Sequence, residues 1–113
     1  MAKSNKPIVW SLFAAGGTLA ALLAPVLVLL FLLLALGRPP AVFDYDRAHA
    51  VAAHWPGKLF LGAVIPLFGW HAAHRLRVTA HDFGLRQDTG VAVVVYLLAA
   101  AGTALTAWYL LRL

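Results

Sequence analysis

Residues 8–36 read IVWSLFAAGGTLAALLAPVLVLLFLLLAL, and no charged side chain interrupts them. A helix of about 20 apolar residues already spans the ~30 Å hydrocarbon core of a bilayer, so this run predicts a membrane-spanning helix with some tilt. A secretory signal peptide has a shorter apolar region of roughly 7 to 15 residues, followed by a small-residue cleavage site. We therefore interpret the stretch as a retained first span.

The composition of the whole chain agrees with a membrane location. Of its 113 residues, 63% are hydrophobic and 12% are charged, whereas soluble domains are about 45–50% apolar. The chain has no cysteine, which excludes a disulfide, a thiolate metal site and an iron–sulfur ligand of its own. The net charge of +5 comes from basic residues scattered near helix ends. This pattern suits anionic lipid headgroups and gives no indication of nucleic-acid binding.

Two further apolar runs predict two further spans. Residues 59–73 are apolar, but at 1.5 Å rise per residue they cover only about 22 Å, so their flanks must extend the second span to 56–76. Residues 91–111 are uncharged and predict a third span. The fold class expected is an all-α integral membrane protein with three transmembrane helices.

The connecting segments complete a single membrane-anchor domain over residues 1–113. Gly37-Arg38-Pro39-Pro40 ends the first helix, because proline lacks the amide hydrogen and disfavours helix in the residue before it. The mixed composition of Phe43 to Trp55 predicts an interfacial helix. The expected order is a cytoplasmic tail (1–7), the first span (8–36), an external loop with the interfacial helix (37–55), the second span (56–76), a cytoplasmic loop (77–90) and the third span (91–111).

The distribution of basic residues gives an orientation. Three spans place the termini on opposite faces, and cytoplasmic segments carry an excess of Lys and Arg. Five basic residues fall on the amino-terminal side and four on the other: Lys3, Lys6, Arg75, Arg77 and Arg86 against Arg38, Arg47, Lys58 and Arg112. This difference predicts a cytoplasmic amino terminus and an external carboxyl terminus.

Small residues recur at helical spacing in the first and third spans. Their rows allow close approach of helices, either within this chain or to another subunit or flat ligand, and spacing alone does not separate these. Such stripes favour a partner membrane subunit, and a homo-oligomer would satisfy them equally. The rows are Gly16, Ala20 and Ala24, then Gly17 and Ala21, and in the third span Ala99, Gly102, Thr103 and Thr106.

Two histidines are the best candidates for chemistry. All four acids lie in loops or flanks, which argues against a proton-driven transporter. His71 and His74 stand one turn apart at the end of the second span, on one helix face. Histidine can donate or accept a hydrogen bond and exchange protons near neutral pH, as quinone chemistry requires. An interfacial histidine satisfied by water or a headgroup remains the alternative.

Trp10 opens the first span at the membrane face where the second span closes, because adjacent spans run antiparallel. Trp10 and His74 could therefore meet. Phe13, Ala14 and Gly17 follow on roughly the same side of the helix. Together these residues would form an aromatic-rimmed slot that opens to lipid.

The motifs of the chain resemble a known family. The stretch KPIVWSLFAAGG at residues 6–17, continuing to Ala24-Pro25-Val26, resembles the opening of the D subunit of fumarate reductase, and His74-Arg75 and His81-Asp82-Phe83 fit the loop after its second span. The resemblance covers essentially the whole chain. It implies a complex of a flavoprotein (A) with covalent FAD, an iron–sulfur protein (B) and two membrane anchors (C and D) in the bacterial inner membrane, used in anaerobic respiration.

The resemblance also implies a role for particular residues. In this family menaquinol gives its electrons at a pocket that both anchors share with the iron–sulfur subunit, and the matching positions here are Trp10, Phe13, Ala14 and His74, with Arg75 alongside. His71 is not part of the matched motif. The chain is then a non-catalytic subunit that carries no covalent cofactor and docks the soluble subunits to the membrane.

Two other functions remain open on the residues alone. One is a haem b anchor of the succinate dehydrogenase type, with His71 or His74 as an axial ligand. The other is a homo-oligomeric small membrane protein, such as an exporter or assembly factor, that uses the Gly and Ala stripes.

Overall fold

A computed structural model describes residues 6–113, and this part of the chain is helical apart from short connections. The first five residues of the predicted tail lie outside the described range, and Lys6 already begins the first helix. The helices are α1 (Lys6–Ala35), α2 (Tyr45–Ala53), α3 (Trp55–Asp82) and α4 (Asp88–Arg112), with a 3-10 turn at Ala41–Phe43.

Two glycines end the long helices α1 and α3. Gly37 has φ of 71° and Gly84 has φ of 92°, a left-handed conformation that glycine adopts without steric cost. After α1, the amides of Arg38 and Gly37 donate to the carbonyls of Leu33 and Leu34 at 2.9 and 3.1 Å. Gly84 and the residue after it make the same pair of bonds at the end of α3. Both ends are therefore Schellman caps, which satisfy the last carbonyls of each helix.

A sharp bend separates α2 from α3. The two helix axes differ by 89°, and Pro56 occupies the first turn of α3, where its missing amide hydrogen costs nothing. Gly57 makes the bend possible, because a Cβ atom at this position would collide with the carbonyl oxygen of Val51. The helix expected within residues 37–55 is thus present as α2, while its place at a membrane interface stays a prediction.

Helix α3 lies between α1 and α4 and packs against both, more extensively against α4. Gly16 of α1 is buried where a Cβ atom would come within 2.5 Å of the Leu67 carbonyl oxygen. The other buried positions among residues 6–113 are apolar: Val64, Ala73 and Ala99. Most large apolar side chains point outward instead, which suits a chain whose surroundings are lipid.

The described helices only partly settle the number of spans. Both α1 and α4 are long and apolar enough to cross a membrane. The bent pair α2 and α3, taken together as one span, would be the third. The chain is an all-helical membrane protein on this basis, and the orientation of its termini stays a prediction. Helix α3 continues to Asp82, so residues 77–82 of the predicted loop are helical. No glycine or proline interrupts that stretch before Gly84.

Candidate functional site

A cleft of about 800 Å³ lies between α1, α3 and α4. It exists partly because α3 presents small residues here: a Cβ atom on Gly62 would still be 3.7 Å from the Cδ1 atom of Leu110, its nearest neighbour in the described part of the chain. Most of the wall is apolar, with a few polar groups. The wall is formed by Val9, Leu12, Phe13, Gly62, Ala63, Pro66, Leu67, Trp70, His74, Arg77 and Tyr96.

Phe13 joins the α1 side of the cleft to both histidines of α3. Its ring is stacked on the ring of His71, with centroids 4.5 Å apart, and meets the ring of His74 edge-on at the same distance. Trp10 packs on Phe13 with ring centroids 5.1 Å apart. Aromatic contacts of this kind contribute about 0.5–1.5 kcal/mol each beyond area burial. The half-buried Phe13 ring is therefore well fixed.

A polar network leads from the cleft to the start of α4. The Nδ1 atom of His74 lies 3.2 Å from the hydroxyl of Tyr96, and the Nη1 atom of Arg77 donates to the same hydroxyl at 3.5 Å. Arg77 also donates from Nε and Nη2 to the two carboxylate oxygens of Asp88, at 2.9 and 2.6 Å. Such a bidentate pair fixes the direction of the guanidinium as well as its position.

The ion pair perturbs both of its members. Hydrogen bonds from Arg77 hold the pKa of the Asp88 carboxyl below its usual value, and the hydrogen bond to Asp88 raises the pKa of Arg77 further above its already high value. Both groups therefore stay charged at neutral pH. The pair is only partly shielded from solvent, with the two side chains 35% and 44% exposed, so its effect on stability is modest.

Trp70 supports the same corner from α3. Its ring stacks on the ring of Tyr96, with centroids 5.9 Å apart and planes inclined by 25°. Its indole nitrogen donates to the hydroxyl of Thr103 at 3.2 Å, and Thr103 donates to the carbonyl of Ala99 one turn earlier at 2.8 Å. Of the small-residue patch of α4, Ala99 is buried within this chain and Thr103 holds Trp70 in place, whereas Gly102 is exposed.

The sequence-predicted site residues are only partly brought together. Phe13 and His74 both line the cleft and contact each other. Trp10 lies beside Phe13 with 62% of its surface exposed, and it is not in the wall. Ala14 and Arg75 are exposed and lie outside the wall as well. A quinone-binding role for these five residues stays a prediction.

Three polar or aromatic wall residues are not predicted from the sequence: Trp70, Arg77 and Tyr96. Trp70 and Arg77 lie four residues before and three residues after His74, so helical periodicity places them on its face. Arg77 falls in the predicted loop because the predicted second span ends at residue 76. No local sequence pattern predicts that Tyr96 lines the cleft, because its position depends on how α4 packs against α3.

Comparison with known proteins supports one family. The chain matches the family described as the D subunit of fumarate reductase over residues 1–111. A fumarate reductase D subunit from Vibrio vulnificus (strain YJ016) is 40% identical over 102 residues, which cover 88% of this chain and 80% of the relative. Proteins of the same name from Shewanella putrefaciens and Actinobacillus succinogenes are 35% and 36% identical, over 98% and 94% of this chain and 93% and 90% of their own lengths.

The family match covers the first span, the cleft and the last helix together. Relatives of similar length align with nearly the whole chain, so the resemblance is not confined to one apolar helix. Taken with the all-helical fold and its outward-facing apolar side chains, these findings show that the chain belongs to the family of fumarate reductase D subunits, as a membrane anchor of fumarate reductase.

Proposed function

We propose that this chain is a non-catalytic anchor of a bacterial inner-membrane quinol:fumarate reductase that docks the flavoprotein and iron–sulfur subunits and lends one wall of a menaquinol site. Membership of the D-subunit family supports the anchoring role. Electrons from menaquinol would then pass through the partner subunits to fumarate. FAD and the iron–sulfur clusters belong to those partners, which also include a second membrane anchor (C).

The observation that carries the menaquinol site is the cleft that Phe13 and His74 line together. Its volume of about 800 Å³ lies within the range of roughly 300–1,000 Å³ that is usual for small-molecule sites. A quinone head is a flat ring with two oxygens and carries an apolar tail. Aromatic walls suit the ring, a polar corner suits one oxygen, and the apolar side chains of Val9 and Leu12 suit the tail.

Three of the wall residues, Phe13, Trp70 and His74, have a stated part in this proposal. Phe13 and Trp70 pack against the ring and keep water from it. His74 forms the hydrogen bond to a quinone oxygen, since imidazole can donate as well as accept. When bound, menaquinol supplies the electrons and protons of the reaction. The apolar walls strengthen the hydrogen bond at His74, because a polar interaction is stronger where the dielectric constant is low.

Two exposed residues of the sequence-predicted site, Trp10 and Arg75, would complete the quinol site together with the partner subunits. Trp10 is held beside Phe13 yet mostly uncovered, and Arg75 is exposed one residue after His74. Both side chains are therefore accessible to a partner protein at this end of the bundle. We propose that Trp10 packs against the quinone head from a partner-facing side and that Arg75 contacts the iron–sulfur subunit.

The test uses the assembled four-subunit complex with the substitution His74→Gln. We expect fumarate reduction with menaquinol to fall at least tenfold, while fumarate reduction with a soluble dye that bypasses the membrane subunits stays unchanged. His49→Gln in α2 is the matched control, because His49 is exposed and its one ring contact among the described residues is with Tyr45. Unchanged menaquinol activity in His74→Gln would contradict the site, and haem bands in the purified complex would support the haem b anchor instead.

A further inference from the structure

The hydroxyl of Tyr96 stands between two nitrogen groups of different character. On one side is the Nδ1 atom of His74 at 3.2 Å, and on the other is the Nη1 atom of Arg77 at 3.5 Å. A guanidinium carries only donors and does not lose its proton in proteins. The Tyr96 oxygen must therefore accept from Arg77.

Arg77 is not free to turn away from this role. Two of its other donors, on Nε and Nη2, are committed to the two oxygens of Asp88, at 2.9 and 2.6 Å. The guanidinium carbon also lies 5.9 Å from the centroid of the Tyr96 ring. With one lone pair of the phenol oxygen turned to Arg77, the single hydroxyl hydrogen is available for the Nδ1 atom of His74.

We propose that Tyr96 is a positioning residue that, held by Arg77, donates to Nδ1 of His74 and so leaves Nε2–H as the group that His74 offers to an oxygen of the bound quinone or quinol. In a neutral imidazole only one nitrogen carries hydrogen, so an accepting Nδ1 puts the hydrogen on Nε2. Among the described residues, the one side-chain hydrogen bond of His74 is that of Nδ1 with Tyr96, and its one ring contact is with Phe13, which leaves Nε2 for a ligand.

His71 provides an internal contrast one turn away. Its Nδ1 atom lies 3.1 Å from the main-chain carbonyl oxygen of Phe13. A carbonyl can only accept, so neutral His71 carries its hydrogen on Nδ1. Two histidines on one helix face therefore carry opposite tautomers, and the difference follows entirely from what faces each Nδ1 atom.

The consequence for the ligand is a fixed hydrogen-bond donor. Both a quinone carbonyl and a quinol hydroxyl oxygen can accept from Nε2–H, so His74 holds the ring in either redox state. The bond needs no reorientation of the imidazole, because Tyr96 and Phe13 already fix it. This inference rests on the proposed menaquinol site, in which Tyr96 sets His74 as the donor of the hydrogen bond to the ligand.

The direct test is nitrogen-15 NMR of the four-subunit complex with labelled histidine, with the signals of the two rings assigned from His74→Gln and His71→Gln. We expect protonated Nε2 for His74 and protonated Nδ1 for His71. Tyr96→Phe keeps the ring that stacks on Trp70 but removes the hydroxyl. It should shift His74 towards a mixture of tautomers and raise the KM for menaquinol about three- to tenfold, the loss expected for one hydrogen bond, with dye-dependent activity unchanged.

Tyr109→Phe is the matched control, because Tyr109 is an exposed tyrosine of the same helix. A His74 ring protonated on Nδ1, or a spectrum unchanged by Tyr96→Phe, overturns the inference. If Tyr96→Phe prevents assembly, Arg77→Met keeps the hydroxyl but removes its fixed donor, and the same shift of tautomer is expected. Normal menaquinol oxidation in His74→Gln overturns the proposed quinone site itself. The NMR measurement reports the tautomer of His74 independently of that site, so the two failures can be distinguished.

Discussion

The Nδ1 atom of His71 lies 3.1 Å from the main-chain carbonyl oxygen of Phe13, and the two rings are stacked with an interplanar angle of 18°. This contact joins α3 to α1. His74, one turn later, makes its hydrogen bond to α4 instead, through Tyr96. The hydrogen bonds of the two histidines therefore join different helix pairs, and only His74 lines the cleft.

We expect His71→Leu to weaken the complex without impairing the proposed quinol site. The substitution removes one hydrogen bond between α1 and α3, a loss of about 0.5–1.5 kcal/mol, while it keeps an apolar side chain against Phe13. The Tm of the purified complex should fall, and the KM for menaquinol should change less than in His74→Gln. Equal KM increases in the two variants would contradict this division of roles.

Gly16→Ala should separate α1 from α3. The added Cβ atom would lie 2.5 Å from the carbonyl oxygen of Leu67 and 3.0 Å from the Cβ atom of His71, and neither can move far. Overpacking of this kind costs about 1–3 kcal/mol. The measurement is the Tm of the purified complex, together with the yield of assembled subunits.

Gly102→Ala in α4 is the control for that substitution. A Cβ atom there meets nothing within 4 Å, and alanine is the better helix former by about 0.5–1 kcal/mol. We expect the Tm to stay unchanged or to rise slightly. A similar drop in both variants would mean that helix packing within this chain does not depend on the close approach at Gly16.

The elements of the fold are more predictable from the sequence than their lengths. Uncharged runs long enough for a bilayer identify α1 and α4, and the Gly-Arg-Pro-Pro segment locates the end of α1. The second span is predicted to end at residue 76, whereas the helix α3 continues to Asp82. Charged residues mark where a helix leaves the membrane, but they do not end the helix. The helix α3 ends here because Gly84 adopts the left-handed conformation.

The candidate site is predictable only where it depends on one helix or on antiparallel neighbours. Phe13 and His74 are expected to lie on facing helices, and they contact each other. Tyr96 sits on α4, and no local pattern fixes the rotation of that helix against α3. The Arg77–Asp88 pair likewise requires the full length of α3, since Arg77 reaches Asp88 from beyond the predicted span.

Phe13→Leu should weaken quinol binding while it leaves the complex assembled. Leucine keeps an apolar side chain in the wall but loses the ring contacts with both histidines, each of which has a centroid distance of 4.5 Å. It also loses the proposed aromatic contact with the quinol ring. A contact of this kind is worth about 0.5–1.5 kcal/mol, which corresponds to an increase of roughly two- to tenfold in the KM for menaquinol. Dye-dependent fumarate reduction should not change.

Phe60→Leu is the matched control for the Phe13 substitution. Phe60 is an exposed phenylalanine of α3 that does not line the cleft. Its replacement should leave the KM for menaquinol unchanged within experimental error. If Phe13→Leu behaved like Phe60→Leu, the Phe13 ring would have no part in binding the quinol head.

Asp88→Asn should lower stability at neutral pH, and the difference should diminish as the solution becomes acidic. Arg77 lowers the pKa of the Asp88 carboxyl in the folded chain, so the folded state binds fewer protons than the unfolded state. The stabilisation is therefore fully present above the ordinary aspartate pKa of about 3.9, and it is lost as pH falls from there through the lowered folded value. The measurement is the difference in Tm between the original and Asp88→Asn complexes from neutral pH down to about pH 3, below the ordinary aspartate pKa.

Asp82→Asn tests whether this pH dependence comes from the ion pair. Asp82 is an exposed carboxylate at the carboxyl end of α3, where the helix dipole disfavours negative charge. Its replacement should not lower the Tm at neutral pH. The Asp88→Asn difference should also shrink at high salt, because the pair is partly exposed and salt screens such charges. A difference that persists undiminished in acid would show that Asp88 stabilises the complex by something other than its charge.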